Sequence, residues 1–267
     1  MTKVNIGIVG CLGKQGRRLV NEISASPYAQ VSAGLVRPGN PHVGQILGEV
    51  VGCDCCAKIT DSLEHLFEVS DIVVEFTNPT TLLECIQMAE NKRKPLLSGT
   101  TGPAATEMVF EDYIKNIPFL WTTNVSFGVN ILARLVEETA KKLFDYDVEI
   151  WEMHHRYKKD SPSGTSLILG KAAAKGRNVP FKMAQYVGGT PQEARKDLNT
   201  IGYAVSRGGA DLSDHRVMFV SDEEMIDFNH RTLNKNLYAK GALKAALWLV
   251  KQPPGVYTMS DMMATIE

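Results

Sequence analysis

Val4-Asn5-Ile6-Gly7-Ile8-Val9-Gly10-Cys11-Leu12-Gly13-Lys14-Gln15-Gly16 joins a short apolar run to three glycines spaced three residues apart. Val4–Val9 has the length and β-branched content of a buried strand. Arg17–Ala25 then carries a helical pattern, and Val31–Val36 reads as a second strand. The unit is therefore strand–turn–helix–strand, with the glycines at the first turn. The spacing G-x-x-G-x-x-G is a variant of the dinucleotide-binding fingerprint. Gly10 permits the tight turn, Gly13 lets backbone approach a pyrophosphate, and Gly16 allows helix and strand to pack closely. A plain α/β turn is the competing reading of three glycines taken alone.

Outward from this unit the alternation continues. Ser62–Phe67 reads as a short helix, Ile72–Phe76 as a buried strand, and Thr80–Asn91 as an amphipathic helix. Pro95–Ser98, Thr106–Lys115 and Phe119–Thr122 follow as strand, helix and strand. Val43–Lys58 is glycine-rich and poorly periodic. Such alternation predicts a doubly wound parallel sheet of Rossmann type. Gly99-Thr100-Thr101-Gly102 and the run from Thr122 and Thr123 to Asn130 stand at strand ends, where open α/β sheets bind ligands. At the end of the second strand, an acid would bind the ribose 2′-hydroxyl of NADH and an arginine would accommodate the 2′-phosphate of NADPH. The chain has Leu35-Val36-Arg37 there, which favours NADPH and leaves NADH possible.

Beyond residue 125 the pattern changes. Ile131–Phe144 reads as helix, Asp147–Trp151 as strand and Ser166–Lys175 as helix. Lys182–Tyr186, Ile201–Ser206, His215–Ser221 and Glu224–Asn229 then read as strands with few helices between them, predicting a mainly antiparallel sheet. Leu237–Lys251 is a closing helix, stopped by Pro253-Pro254-Gly255. The expected organisation is an α/β dinucleotide-binding domain over 1–125 and 236–267. An α+β substrate-binding and oligomerisation domain is expected over 126–235.

Composition narrows the function. The chain has 267 residues, 44% hydrophobic and 22% charged, with a formal net charge of −1. That balance offers no general attraction to nucleic acid or to an anionic membrane, so any anion site must be local. No apolar run reaches bilayer length, and Met1–Gly10 reads as a first strand rather than a signal peptide. The cysteines are Cys11, Cys53, Cys55, Cys56 and Cys85. An odd number in a chain of this size argues for reduced thiols in the cytoplasm rather than a disulfide framework. Cys53-x-Cys55-Cys56 has no second pair at zinc spacing, so no metal site is expected.

The chemistry concentrates in Trp151-Glu-Met-His-His-Arg-Tyr-Lys-Lys-Asp-Ser-Pro-Ser-Gly-Thr-Ser166. Ser163-Gly164-Thr165 stands where a helix begins, and backbone N–H groups and the helix dipole there suit an anion. Arg156, Lys158 and Lys159 add positive charge, so a small dicarboxylate fits. His154 and His155 supply imidazoles, the side chain able to exchange a proton near neutral pH. Each residue alone has a bland explanation, such as a helix cap or a solvated loop. Their coincidence in one short segment is what points to a ligand.

The string Glu152-x-His154-His155-x-x-Lys158-x-Asp160-x-Pro162-Ser163-Gly164-Thr165 resembles the signature of the 4-hydroxy-tetrahydrodipicolinate reductase (dihydrodipicolinate reductase) family. The resemblance extends from Ile6 to the last helix, through Gly99–Gly102, Asn124–Asn130, Arg207-Gly208-Gly209, Asp214-His215 and Ala239-x-Gly241-Ala242. It implies an NAD(P)H-dependent reduction in lysine and diaminopimelate biosynthesis. His154 would be the proton donor, Lys158 its catalytic partner, and His155, Gly164 and Thr165 the substrate-carboxylate contacts. Gly10, Cys11, Leu12, Gly13, Lys14, Gln15, Arg37, Gly99, Thr100, Thr101, Thr122, Thr123, Asn124 and Val125 would form the cofactor contacts. A homotetramer is implied in the same way. Val36, Asn78, Val125 and Asn234-Lys235 depart from the family's usual residues. Two other classes compete with this reading: a different dinucleotide enzyme on the same plan, and a redox sensor built on a retired reductase. The intact His-His-x-x-Lys and Ser-Gly-Thr set argues against both.

Overall fold

A computed structural model of the chain describes residues 2–181, 185–187, 199–210 and 213–265. The chain divides into two compact units, Met1–Ser126 with Asn236–Glu267, and Phe127–Lys235.

The first unit is built on seven strands, β1 (Val4–Val9), β2 (Ala29–Leu35), β3 (Lys58–Thr60), β4 (Ile72–Glu75), β5 (Leu96–Ser98), β6 (Pro118–Trp121) and, from the end of the chain, β12 (Gly255–Tyr257). Their order is β12-β6-β5-β4-β1-β2-β3, and every pairing is parallel. This is a Rossmann-like sheet. Strands such as Ile72-Val73-Val74 are apolar without alternation because helices cover both faces. Successive strands leave β1 in opposite directions, β2 and β3 to one side and β4 to β6 to the other. The strand order therefore reverses between β1 and β4, and a crevice opens at their C-terminal ends.

Helix α1 (Lys14–Ser24) buries Leu19, Val20 and Ile23, as the spacing of these residues requires. The segment read as featureless before residue 58 contains a short helix, α2 (Leu47–Val51), and α3 (Leu63–Glu68) follows β3. Asn78 caps α4 (Pro79–Lys92), its Oδ1 accepting from Thr80 N and Thr81 N at 3.1 Å each, with Pro79 at the first helical position. The asparagine that departs from the family pattern thus has a local structural role.

One helix expected from the sequence is absent. Thr106–Lys115 is not a helix: α5 spans only Pro103–Thr106, and a 3₁₀ turn covers Phe110–Asp112. Val109 is extended there, and Phe110 packs its ring 4.9 Å from Phe119 and 5.3 Å from Trp121. Docking of that aromatic cluster outweighs a short, weakly periodic helical pattern. The seventh strand, β12, had no sequence signal, since three residues after two prolines carry no period.

In the second unit, helix α6 (Phe127–Lys142) is followed by β7 (Asp147–His154) and α7 (Gly164–Gly176). The sheet is completed by β8 (Gln185–Val187), β9 (Ile201–Arg207), β10 (Ser213–Val220) and β11 (Met225–Arg231), in the order β11-β10-β7-β9-β8. Of the strand expected over Lys182–Tyr186, residues 182–184 lie outside the described residues. The sheet is mixed, with antiparallel ladders joining β7, β10 and β11 and parallel ones joining β7, β9 and β8. Its core gathers Leu132 and Val136 from α6, Val148 and Ile150 from β7, Leu169 and Ala173 from α7, and Val217 and Phe219 from β10. Helices α8 (Asn236–Leu249) and α9 (Met259–Ala264) return the chain to the first unit.

β7 alternates strictly, so Val148, Ile150, Glu152 and His154 all face inward. Two apolar positions are followed by two polar ones on the same buried face. That register sets the site described below.

Tyr203 of β9 is buried beneath α7 at Gly170, where a Cβ would come within 1.6 Å of its hydroxyl oxygen. Among the described residues the hydroxyl has no hydrogen-bond partner. A buried, unpaired hydroxyl costs about 1–3 kcal/mol. Tyr203→Phe is therefore expected to raise stability by about 1 kcal/mol, read as a higher thermal unfolding midpoint.

Candidate active site

In the second unit the polar end of β7 is organised by one carboxylate. Glu152 is 1% exposed. Its Oε2 accepts from Ser163 N at 2.8 Å and from Ser166 Oγ at 2.5 Å, which ties it to the first turn of α7. Its Oε1 accepts from Arg207 Nη1 at 3.0 Å and lies 3.5 Å from His154 Nδ1. The last distance is at the long limit for a hydrogen bond. Burial alone would raise the Glu152 carboxyl. The interactions with His154, Ser163 and Ser166 outweigh it and hold the group well below the ordinary carboxylate range.

Strand register brings the remaining groups. His215 of β10 stands opposite Glu152, and Ser213 opposite His154. Arg207 stands opposite His154 from the other side, on β9. The His154 ring meets the His215 ring edge-on at 4.9 Å, and its Nε2 is 3.2 Å from Ser213 Oγ. His215 Nε2 is 3.0 Å from Ser163 Oγ, the oxygen that also caps α7 by accepting from Ser166 N. Burial first, then the neighbouring His154, push His215 down to about 3. Neighbouring Asp214, 1% exposed, is held by Asn229 and Arg231.

A pH dependence of stability follows. Unfolded His215 titrates near 6.5 and the folded residue near 3, so only the unfolded chain takes up the proton between those values. Stability therefore falls as pH drops below 6.5, by about 2 kcal/mol at pH 5. Glu152, lowered from 4.5, adds to the loss below that value. His215→Gln is expected to reduce the slope above pH 5, leaving the part due to His230, which burial also lowers, measured by urea unfolding at pH 5 and pH 7.

The other expected residues flank this cluster. Lys158 Nζ pairs with Asp160 Oδ2 at 2.8 Å, and Arg207 Nη2 donates to the Asp160 carbonyl at 2.7 Å. His155 is half-buried, and its Nδ1 has no partner among the described residues. Gly164 opens α7 and is exposed; a Cβ there would meet nothing within 4 Å. Packing within the chain does not demand glycine at that point, as the close approach of a ligand would. Glu152, His154 and His215 also bring three possible metal-ligand atoms within 4.8 Å of one another. The carboxylate is already engaged there by Arg207 and two serines, which opposes its use as a metal ligand.

In the first unit, the expected cofactor residues sit at C-terminal strand ends of the parallel sheet. Gly10 has φ +75°, and a Cβ on Gly16 would stand 2.2 Å from Gly10 O. The turn therefore closes only with glycine at both positions. α1 begins after Gly13 with no side-chain cap and no acid in its first turn, which suits a phosphate. Lys14 is exposed and Gln15 half-buried. Arg17 braces the loop through Leu12 O at 3.0 Å. Cys11 is a packing residue: burial pushes its thiol up to about 12, and its Sγ lies against Gly34. Leu35 O accepts from Gly10 N at 3.0 Å, so Val36 and exposed Arg37 adjoin the glycine turn.

Several side chains in the other two loops turn inward. Thr100 Oγ1 donates to Glu75 Oε1 at 2.6 Å, while Thr101 is exposed. Thr122 Oγ1 donates to Asn124 O at 3.0 Å, and Asn124 Oδ1 accepts from Ser126 N at 2.9 Å. Val125 is buried, its carbonyl against Gly241 of α8. In these loops the backbone, exposed Thr101 and half-buried Thr123 are accessible to a ligand.

Residues 4–125 match the family model of the dihydrodipicolinate reductase N-terminus, and residues 128–263 that of its C-terminus. The chain belongs to the dihydrodipicolinate reductase family. Among its relatives, the 4-hydroxy-tetrahydrodipicolinate reductase of Ehrlichia chaffeensis is 91% identical, with both chains covered completely. The protein of that name from Anaplasma marginale is 46% identical over 97% of this chain and 99% of its own. A dipicolinate-bound dihydrodipicolinate reductase from Paenisporosarcina sp. TG-14 has a TM-score of 0.75 at 19% identity, covering 96% of this chain and 98% of that one. At that identity the likeness is one of fold. In the sequence of this dihydrodipicolinate reductase Glu75 carries no motif, and Glu152, Arg207 and His215 stand only as parts of family motifs. For Glu75 the available signal was an acid closing an apolar strand, at Val74-Glu75.

Proposed function

We propose that the chain reduces 4-hydroxy-tetrahydrodipicolinate to tetrahydrodipicolinate in lysine and diaminopimelate biosynthesis. The observation that carries this reading is the buried Glu152 carboxylate, which binds the first turn of α7 through one oxygen and approaches His154 with the other. It braces an anion site and a proton donor together. The glycine turn and the start of α1 in the first unit would hold a nicotinamide nucleotide, which would supply the hydride. His154 delivers the proton, and the Lys158 ammonium stabilises negative charge that builds on the substrate. Gly164, Thr165 and His155 hold the substrate carboxylates at the positive end of α7. Overall the substrate gains a hydride and a proton and loses water.

The glycine turn and the start of α1 cradle the pyrophosphate. Backbone of Gly99–Thr101 and of Thr122–Val125 lines the rest of the cofactor site. Arg37 selects NADPH over NADH through the 2′-phosphate. The protein works in the cytoplasm as a homotetramer joined through the sheet of the second unit; exposed Met225 and Ile226 on the edge strand β11 support such a contact.

The test is a coupled assay in which the synthase step generates the substrate from pyruvate and aspartate semialdehyde, with nicotinamide absorbance followed for NADPH and NADH separately. Turnover is expected with both, with kcat/KM about tenfold higher for NADPH, an advantage that Arg37→Ala removes. No turnover with either nucleotide, in a folded protein that binds one, would overturn the reading.

A further inference from the structure

Glu75 closes β4 and is fully buried, with no cation paired to it among the described residues. Its Oε1 accepts from Thr77 N at 2.5 Å, from the Thr77 hydroxyl, and from Thr100 Oγ1 at 2.6 Å. Its Oε2 accepts from Ser98 Oγ at 2.7 Å. The serine and the second threonine oxygen each also accept a backbone N–H, Thr100 N at 3.2 Å and Thr77 N at 2.9 Å respectively. Their hydroxyl protons are thus directed at the carboxylate. A carboxylate taken out of water is costly unless every acceptor position is filled, and here all the donors come from two loops and a strand end. The arrangement spends that cost on fixing loop geometry.

Those loops are the ones read as cofactor contacts. Glu75 lies beside Val9 of β1, one residue before the glycine turn, and beside Ser98 of β5, one residue before Gly99. Thr77, held by Glu75, backs onto Gly10, whose Cβ position would be 2.9 Å from the threonine methyl. Phe76 covers Gly99, whose Cβ position would be 2.0 Å from the ring. The Thr100 carbonyl in turn accepts from Trp121 Nε1 at 3.0 Å. One buried acid therefore ties the turns after β1, β4 and β5 into a single edge.

We propose that Glu75 is a positioning residue for the nicotinamide nucleotide, setting the turns after β1 and β5 in their binding geometry before the cofactor arrives. The proposal rests on the reading of the first unit as the cofactor unit. Glu75→Gln places an amide donor against hydroxyl donors and loosens both turns. In the cofactor-free protein, the Thr77 and Thr100 amides are expected to exchange with deuterium at least tenfold faster than in the wild type. Calorimetric Kd for NADPH is expected to rise at least tenfold, with KM for NADPH following it. kcat at saturating NADPH and KM for the dicarboxylate substrate should stay within threefold, a split that general destabilisation would not produce. Ser98→Ala removes one donor and keeps the acid, and serves should Glu75→Gln fail to fold; its Kd is expected to rise at least threefold. A Glu75→Gln protein that binds NADPH within threefold of wild type, or, where that variant does not fold, a Ser98→Ala protein that binds unchanged, overturns the proposal and leaves the cofactor reading standing. A wild-type protein that binds neither NADPH nor NADH overturns the cofactor reading itself, and the proposal with it.

Discussion

His154→Gln is expected to lower kcat by about 10²- to 10⁴-fold, the range for removing a general acid. The amide fills much of the imidazole's volume and can still face Ser213 and Glu152, but it has no proton to give. The buried position makes the loss hard to repair, since His154 is 7% exposed and bulk water has little access to replace it. Lys158→Ala is expected to fall in the same range, because the charge it would stabilise forms in the step that His154 completes. The double variant should then lose little more than either single one, as groups acting in one step are not additive. Steady-state kcat in the coupled assay, with calorimetric NADPH binding as control, checks this. A His154→Gln protein within threefold of wild type would remove His154 from the mechanism.

Gly16→Ala is the second large effect, and it acts on the first unit. The added methyl would stand 2.2 Å from Gly10 O and 2.8 Å from the Cys11 backbone, so backbone rather than a flexible side chain has to yield. Overpacking of this kind costs about 1–3 kcal/mol in stability. The displaced turn no longer presents its N–H groups together, so NADPH affinity should fall by at least about tenfold, equivalent to about 1.4 kcal/mol. Calorimetry and the thermal midpoint of the free protein measure the two losses. Unchanged values for both would mean that the turn relaxes without consequence, and would remove the steric reason for glycine at that position.

The first unit was legible because each of its signals is local. An apolar hexapeptide, a glycine turn and an amphipathic helix announce themselves within a few residues of one another. The same holds for Trp151–Ser166, where strand, loop and helix start are contiguous. Arg207, Ser213 and His215 were harder, since they reach Glu152, His154 and Ser163 only through strand register, across more than fifty residues. Sequence also located the cofactor loops without showing which atoms in them are available. Thr100 and Asn124 look like ligand contacts in a string of letters, yet their side chains are spent on Glu75 and on a neighbouring turn. Thr106–Lys115 misled for the opposite reason: its pattern was helical, and an aromatic cluster anchored by Phe110 prevailed.

The alternation of β7 carries a consequence for anyone redesigning this reductase. Its inward positions run Val148, Ile150, Glu152, His154, so the strand that begins in the apolar core ends as the strand that holds the reactive groups. A one-residue insertion upstream would expose all four at once. Chemistry and architecture share one register there, so a shift that disturbs the second also removes the first. New substrate preferences are better sought off that strand, in the exposed loop around Lys159.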